Sequence, residues 1–185
     1  MPIEVEKKYR LTAEQRTQIE ERLRALGLSA RPVEFEENTL YRGAAVDLGR
    51  CSLRLRRVNG RALLTFKQRL PSPSPIKHQL ENECEVANAD RMDEILRALG
   101  YTPGLIYEKR RTRWQVDTAK VVIDQLPFGL FMEIEASEKE INRVEGLLKV
   151  ASLPAVAETY PNLTIKHGID RNGIIEARFG VDDRV

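Results

Sequence analysis

Residues 3–11 read IEVEKKYRL. Glu4, Glu6, Lys8 and Arg10 fall at every second position, and Ile3, Val5, Tyr9 and Leu11 fill the gaps, with Lys7 the exception. Side chains of a strand alternate between faces, so this spacing predicts a β-strand with one apolar and one ionic face. The pattern recurs along the chain. Arg54 and Arg56 alternate with Leu53 and Leu55, and Thr65, Lys67 and Arg69 with Leu64, Phe66 and Leu70. Glu81, Glu83 and Glu85 oppose Leu80, Cys84 and Val86. Lys109, Arg111 and Arg113 oppose Trp114 and Val116, although Glu108 and Arg110 interrupt that apolar side. Asp124 opposes Val121 and Ile123, and Glu133 and Glu135 oppose Met132, Ile134 and Ala136.

An antiparallel sheet often has one solvated face. A solvated face usually mixes in Thr, Ser and Gln, whereas here nearly every polar position is an ion. Closure of the sheet would put those ions inside, and an eight-stranded barrel can hold one small ligand. Enclosed charges cost several kcal/mol each unless they are paired or coordinate a metal. The cations ask for a polyanion, and the clustered carboxylates for a hard divalent cation such as Mg²⁺ or Mn²⁺. A polyphosphate with bound metal meets both demands.

Local signals fill in the elements. Thr12, with Gln15 three residues on, predicts a capped helix that carries Ile19, Leu23 and Leu26 and stops at Gly27. Residues 33–42 read as extended. Asn59-Gly60 predicts a two-residue hairpin between 52–58 and 61–70, and PSPSP at 71–75 a loop. A short helix with Met92, Ile95, Leu96 and Leu99 inward follows the strand at 78–88. Residues 106–117, 119–126 and 130–137 read as three more strands. Ser137 with Glu140 caps a third helix, carrying Ile141, Val144, Leu147 and Leu148. The tail from about residue 152 carries weaker signals. The total is about eight strands and three main helices. A faint echo, Glu-x-Glu and then a helix ending RALG, links Glu4/Glu6 with Glu83/Glu85.

The 185 residues suffice for one domain, expected to span 1–185. A net charge of +2 is too balanced for a chain that coats nucleic acid, and the cations form no stripe with interleaved aromatics. No stretch reaches the ~20 apolar residues of a membrane span. The strand at the N-terminus leaves no room for a signal peptide. Cys51 and Cys84 do not follow metal or disulfide spacing, so a cytoplasmic protein with reduced thiols is expected. Two histidines, His78 and His167, disfavour a zinc site and a histidine-driven triad. Trp114 reads as a packing anchor, Cys84 as a buried small hydrophobe, and Glu108 and Arg110 as surface ions.

Taken in order, the motifs resemble those of the CYTH superfamily, the triphosphate tunnel metalloenzymes. Glu4-x-Glu6-x-Lys8 resembles the ExExK signature. LRLR at 53–56, LTFK at 64–67, ENECE at 81–85, KRR at 109–111 and VVIDQLPFGLFMEIEA at 121–136 follow in the family's order. Tyr160 falls where the family often has a tyrosine after its last long helix. The resemblance implies an α+β fold, an eight-stranded antiparallel β-barrel with helices packed outside. It also implies a bound triphosphate with Mg²⁺ or Mn²⁺. By position, Glu4, Glu6, Glu133 and Glu135 would be metal ligands or hold the attacking water, and Glu83, Glu85 and Asp124 would join that acidic set. Lys8, Arg54, Arg56, Lys67, Lys109 and Arg111 would grip the phosphate oxygens, and Glu4, Glu6 and Lys8 would be catalytic. Arg10, Arg69, Arg113 and Glu81 continue the same faces toward the tunnel mouths.

The implied activity is hydrolysis of tripolyphosphate or of an organic triphosphate such as ATP or thiamine triphosphate. A class IV adenylate cyclase and a non-catalytic polyphosphate-binding module are the alternatives, and a homodimer is left open. Two departures bear on this choice. The His-Phe pair that often precedes ExExK in those cyclases is absent, since only Met1-Pro2-Ile3 stand there. ENTLY at 37–41 puts Asn38 where the family often has Asp.

Overall fold

Each segment of period two becomes a strand. A computed structural model of the chain describes residues 3–43, 46, 50–71 and 76–180. Most of the 71–75 loop therefore lies outside the described residues. In chain order the elements are β1 (Ile3–Leu11), α1 (Ala13–Ala25), β2 (Glu34–Arg42), β3 (Cys51–Val58) and β4 (Arg61–Arg69). Then come β5 (Lys77–Val86), α2 (Ala89–Ala98), β6 (Thr102–Val116), β7 (Ala119–Leu126) and β8 (Gly129–Glu135). The chain continues through α3 (Glu138–Leu148), α4 (Tyr160–His167), β9 (Ile169–Arg171) and β10 (Ile174–Ala177).

Strands β2, β3, β4, β5, β1, β8, β7 and β6 pair antiparallel in that order, and β2 pairs with β6 to close the ring. The result is a closed eight-stranded antiparallel barrel with four helices outside. The length of β6 makes closure possible. It pairs with β2 over residues 102–111 and with β7 over 110–116, so one strand spans the stagger that a closed sheet requires. Beside β7 on the same edge, β10 adds in parallel to Leu105–Tyr107.

The local signals act as read. Thr12 and Gln15 form a reciprocal capping box on α1. Asn59 and Gly60 both take positive φ, 48° and 74°, as the tight β3–β4 hairpin demands. The expectation of eight strands and three helices falls short by β9, β10 and α4, all in the weakly patterned tail.

The outer apolar faces carry the cores. Ile19 and Leu23 of α1 and Ile141, Val144 and Leu148 of α3 pack over Tyr9, Val121, Met132 and Ile134. Trp114 joins them, buried as expected. At one end of the lumen, Leu40, Leu105, Tyr107, Leu126 and Phe131 point inward against Tyr160 and Leu163 of α4. That end is apolar and covered.

Three expectations fail here for one reason: which element covers which face. Cys84 is exposed, because α2 packs on β3 and β4 and leaves the outer face of β5 open. Of the α2 residues expected inward, Leu96 is buried and Met92 half-buried, while Ile95 and Leu99 face solvent. Glu108 is buried rather than a surface ion. The C-terminal segment covers it, and it accepts from Phe179 N–H at 2.8 Å and pairs with Arg178 at 3.0 Å. Arg110 is half-buried, with its guanidinium 4.4 Å from the Phe179 ring centroid.

This packing sets a contrast. Ile141→Ala should cost about 2–5 kcal/mol in urea unfolding, since a fully buried methylene cluster is lost. Leu99→Ala, at a position 68% exposed, should stay within about 0.5 kcal/mol.

Candidate functional site

The inward faces of the eight strands enclose a cavity of about 1160 Å³. Glu4, Glu6 and Lys8 of β1 line it, with Arg54 and Arg56 of β3, Lys67 of β4, Glu81 and Glu83 of β5, Lys109 and Arg111 of β6, and Glu133 and Glu135 of β8. The structure thus brings together most of the residues singled out from the sequence. Glu85 and Asp124 are not among the lining residues.

Glu4, Glu6 and Glu135 form one cluster. A carboxylate oxygen from each lies within 4.8 Å of the others, the one such group among the described residues. Strand register produces it: Glu6 pairs with Glu135 across β1–β8, and Glu4 follows Glu6 on the same face of β1. Burial raises the Glu135 carboxyl, Arg111 opposes this, and Glu133, Glu4 and Glu6 push it further up. Three crowded oxygen donors suit a hard divalent cation, so the donor set fits Mg²⁺ or Mn²⁺. Lys67 stands 2.5 Å from Glu4, and Lys77 3.3 Å from Glu6.

Asp124 and Glu133 are placed differently. Asp124 is fully buried and receives both Nε and Nη2 of Arg111, at 2.7 and 2.5 Å. The Tyr160 hydroxyl donates to it at 2.8 Å, and Lys109 lies at 3.4 Å. Glu133 accepts from Arg111 at 2.8 Å and pairs with Lys8 at 3.2 Å. Burial would raise both carboxyls, but the cations win. Lys8 and Arg111 lower Glu133 to about 2, and Arg111 and Lys109 hold Asp124 well below the usual carboxylate range. These two carboxylates spend their oxygens on cations.

Glu83 and Glu85 sit apart from the triad. The β1–β5 ladder covers only residues 77–80 of β5, so 83 and 85 run past the start of β1 and pair with β4 instead. Glu83 accepts from Thr65 at 2.7 Å and lies 3.5 Å from Arg54, and both Glu83 and Glu85 are exposed. Of the mouth residues, Arg69 is exposed, and Arg10 is exposed and donates to the Phe128 carbonyl at 3.0 Å. Glu81 pairs with Lys67 at 3.2 Å, and Arg113 with Glu36 at 3.1 Å and with Glu34.

Sequence reasoning missed Glu36 and Lys77. Glu36 is fully buried and meets Arg56 at 3.2 Å, Lys109 at 3.3 Å and Arg113 at 3.1 Å. Period two along EFEENTLYR would have found it, because Glu34, Glu36, Asn38 and Leu40 share a face. Lys77 has the parity of Glu81 and Glu83 and starts β5 one residue earlier than expected. Burial and then neighbouring Lys8 lower its ammonium to about 8. Lys8 is held against the Tyr160 ring, 3.6 Å from its centroid, and donates to the Glu158 carbonyl at 3.3 Å. Two buried donors in this layer, Asn38 Nδ2 and Arg54 Nε, have no hydrogen-bond partner among the described residues. Each such group typically costs about 1–3 kcal/mol.

Comparison with known proteins agrees with this geometry. The CYTH domain profile matches residues 2–154. The PH1012 protein of Pyrococcus horikoshii OT3 superposes with a TM-score of 0.74 at 22% identity, covering 86% of this chain and 98% of its own. The PH1819 protein of the same organism gives 0.72 at 25%, covering 88% and 98%. HpAC1 from Hippeastrum, a protein with a dominant triphosphatase activity, gives 0.64 at 20%, covering 84% and 90%. No curated protein sequence matches the chain. No helix among the described residues is long and apolar enough to cross a membrane.

The buried ion pairs make stability depend on pH with a defined sign. Burial raises the Glu36 carboxyl, but Lys109, Arg56 and Arg111 outweigh it and lower the group to about 2 from 4.5. A depressed folded pKa stabilises above the unfolded value and is lost as pH falls through the folded one. The contribution, on the order of 3 kcal/mol, should be complete above about pH 5 and disappear toward pH 2. Urea midpoints measured from pH 7 to pH 2.5 should show this fall, and Glu36→Gln should lessen it while Glu133 and Asp124 keep their share.

Proposed function

Because the chain belongs to the CYTH domain family, we propose that it hydrolyses a triphosphate, inorganic tripolyphosphate or an organic triphosphate, inside the ionic tunnel with Mg²⁺ or Mn²⁺. One observation carries the reading. A carboxylate triad and a set of cations line the same cavity of one barrel. Anion binding alone has no use for the triad, which argues against a module that binds polyphosphate without acting on it.

In this reading Glu4, Glu6 and Glu135 hold the divalent ion. Bound there, such an ion neutralises phosphate charge and lowers the pKa of a coordinated water. The cations do the rest. Arg54, Arg56 and Arg111 suit paired hydrogen bonds to phosphate oxygens, and Lys8, Lys67 and Lys109 act as compact charges. Asp124 and Glu133 orient Arg111, and Glu133 also orients Lys8, so that these donors are fixed before substrate arrives. Phosphoryl transfer depends mainly on such positioning and charge stabilisation.

A cyclase reading draws on a different observation. The cavity extends to Leu40, Leu105, Ile165 and Ile175, apolar side chains against which an organic group would rest. The deciding assay offers tripolyphosphate and ATP separately, with Mg²⁺ or Mn²⁺, and follows phosphate, pyrophosphate and cyclic AMP. Phosphate from tripolyphosphate is the expected result. Pyrophosphate with cyclic AMP from ATP would establish the cyclase instead. Glu6→Gln should lower kcat by more than the roughly 10–100-fold typical of residues that only support a metal ligand, with triphosphate affinity much less affected. Near-normal turnover in that variant would sink the assignment.

A further inference from the structure

Asn38 is a neutral side chain in a layer of ions. It lies on the lumen side of β2, between Glu36 and Leu40, opposite Arg56 of β3 and Tyr107 of β6, and it is fully buried. Its Oδ1 accepts from Arg56 Nε at 3.1 Å. A guanidinium offers only donors, so this bond fixes which way the amide points. The Nδ2 group is then left buried without a partner among the described residues, as is Arg54 Nε on the same inward face of β3. Arg54 and Arg56 line the cavity and Asn38 does not, so Asn38 reaches the cavity only through the arginine it holds.

Charge matters as much as geometry. A carboxylate at position 38 would accept the same bond from Arg56 and cancel one positive charge. An amide holds the arginine without cancelling it. The carboxylate that does pair with Arg56, Glu36, is shared with Lys109 and Arg113. Arg54 has Glu83 at 3.5 Å, whereas Arg56 shares its one carboxylate and so keeps uncancelled positive charge on the tunnel wall. Burial and the neighbouring Arg54 both bear against the charged form of Arg56, as expected for a cation short of counter-charge.

We propose that Asn38 is a positioning and specificity residue for the polyanion. Its carbonyl oxygen aims Arg56, which lines the cavity, and its neutrality leaves that arginine a charge that makes the tunnel favour longer, more highly charged phosphate chains. The inference rests on the triphosphate reading above, and it names the residue that sets how steeply affinity rises with ligand charge.

Titration calorimetry with Mg²⁺ tests it, using tripolyphosphate, pyrophosphate and orthophosphate as probes. Asn38→Asp should weaken tripolyphosphate about tenfold or more and orthophosphate least, because the added charge acts on each unit of ligand charge. Equal losses for all three anions in Asn38→Asp, or none, would overturn the proposal, since a merely structural role moves every ligand alike. If Asn38→Asp does not fold by circular dichroism, Asn38→Ala decides. It loses the hold on Arg56, so a loss largest for tripolyphosphate supports the inference and unchanged affinities overturn it. Wild-type protein that binds none of the three would overturn the triphosphate reading itself, an outcome distinct from binding that ignores position 38.

Discussion

Arg111, Asp124 and Glu133 hold one another where none would stay charged alone. Asp124 has no exposed surface, and Arg111 and Glu133 have little. An unpaired ion in such a place costs several kcal/mol, so each is affordable only through its partners. Arg111 sits at the centre, bound to Asp124 on β7 and Glu133 on β8, with Glu135 at 3.8 Å. Because the three ions come from three adjacent strands, the network also fixes the register of β6, β7 and β8. A slip of one residue would turn every ion outward and every apolar side chain inward. The same alternation that builds the barrel therefore builds the site.

Within that lattice the two walls differ. On β1 and β8 the carboxylates Glu4, Glu6 and Glu135 crowd together, and burial plus mutual repulsion push Glu135 upward. On β3, Arg54 faces Glu83 at 3.5 Å and Arg56 faces Glu36 at 3.2 Å. A metal-bound polyanion would meet the crowded carboxylates with a cation and the arginines with an anion.

The barrel was legible because its cause is local. Period two reports which face a side chain takes, and it holds through β1, β3, β4 and β8 without help from distant residues. The hairpin at Asn59-Gly60 was equally plain, and the same pair at Asn172-Gly173, again at positive φ, makes the β9–β10 turn that went unread in the tail. What the sequence did not carry was stagger. Glu83 and Glu85 echo Glu4 and Glu6 in pattern, yet the β1–β5 ladder ends at Leu80 and leaves them beyond β1. Asp124 alternates like a lumen residue but ends behind Arg111 and Tyr160, which depends on the tail. Glu108 looked like an interruption of an apolar face because its cover, Arg178 and Phe179, lies about seventy residues away.

The tail also completes the ionic layer. The CYTH match ends at residue 154, and the next few residues are pinned to β1, where Val156 N–H donates to the Lys8 carbonyl. The Glu158 carbonyl then accepts from both Lys8 and Lys77. Tyr160 follows and joins the two halves of the lumen. Its ring packs edge-on against Phe131 in the apolar end, while its hydroxyl donates to Asp124 in the ionic part. Burial and the nearby Asp124 and Glu133 raise the Tyr160 hydroxyl well above its ordinary range, so it serves as a fixed donor rather than an acid. Lys8 packs over the same ring. The cation of the ExExK motif is thus held by a carboxylate from β8, a carbonyl and an aromatic face from the tail, and its placement depends on segments about 125 and 150 residues along the chain.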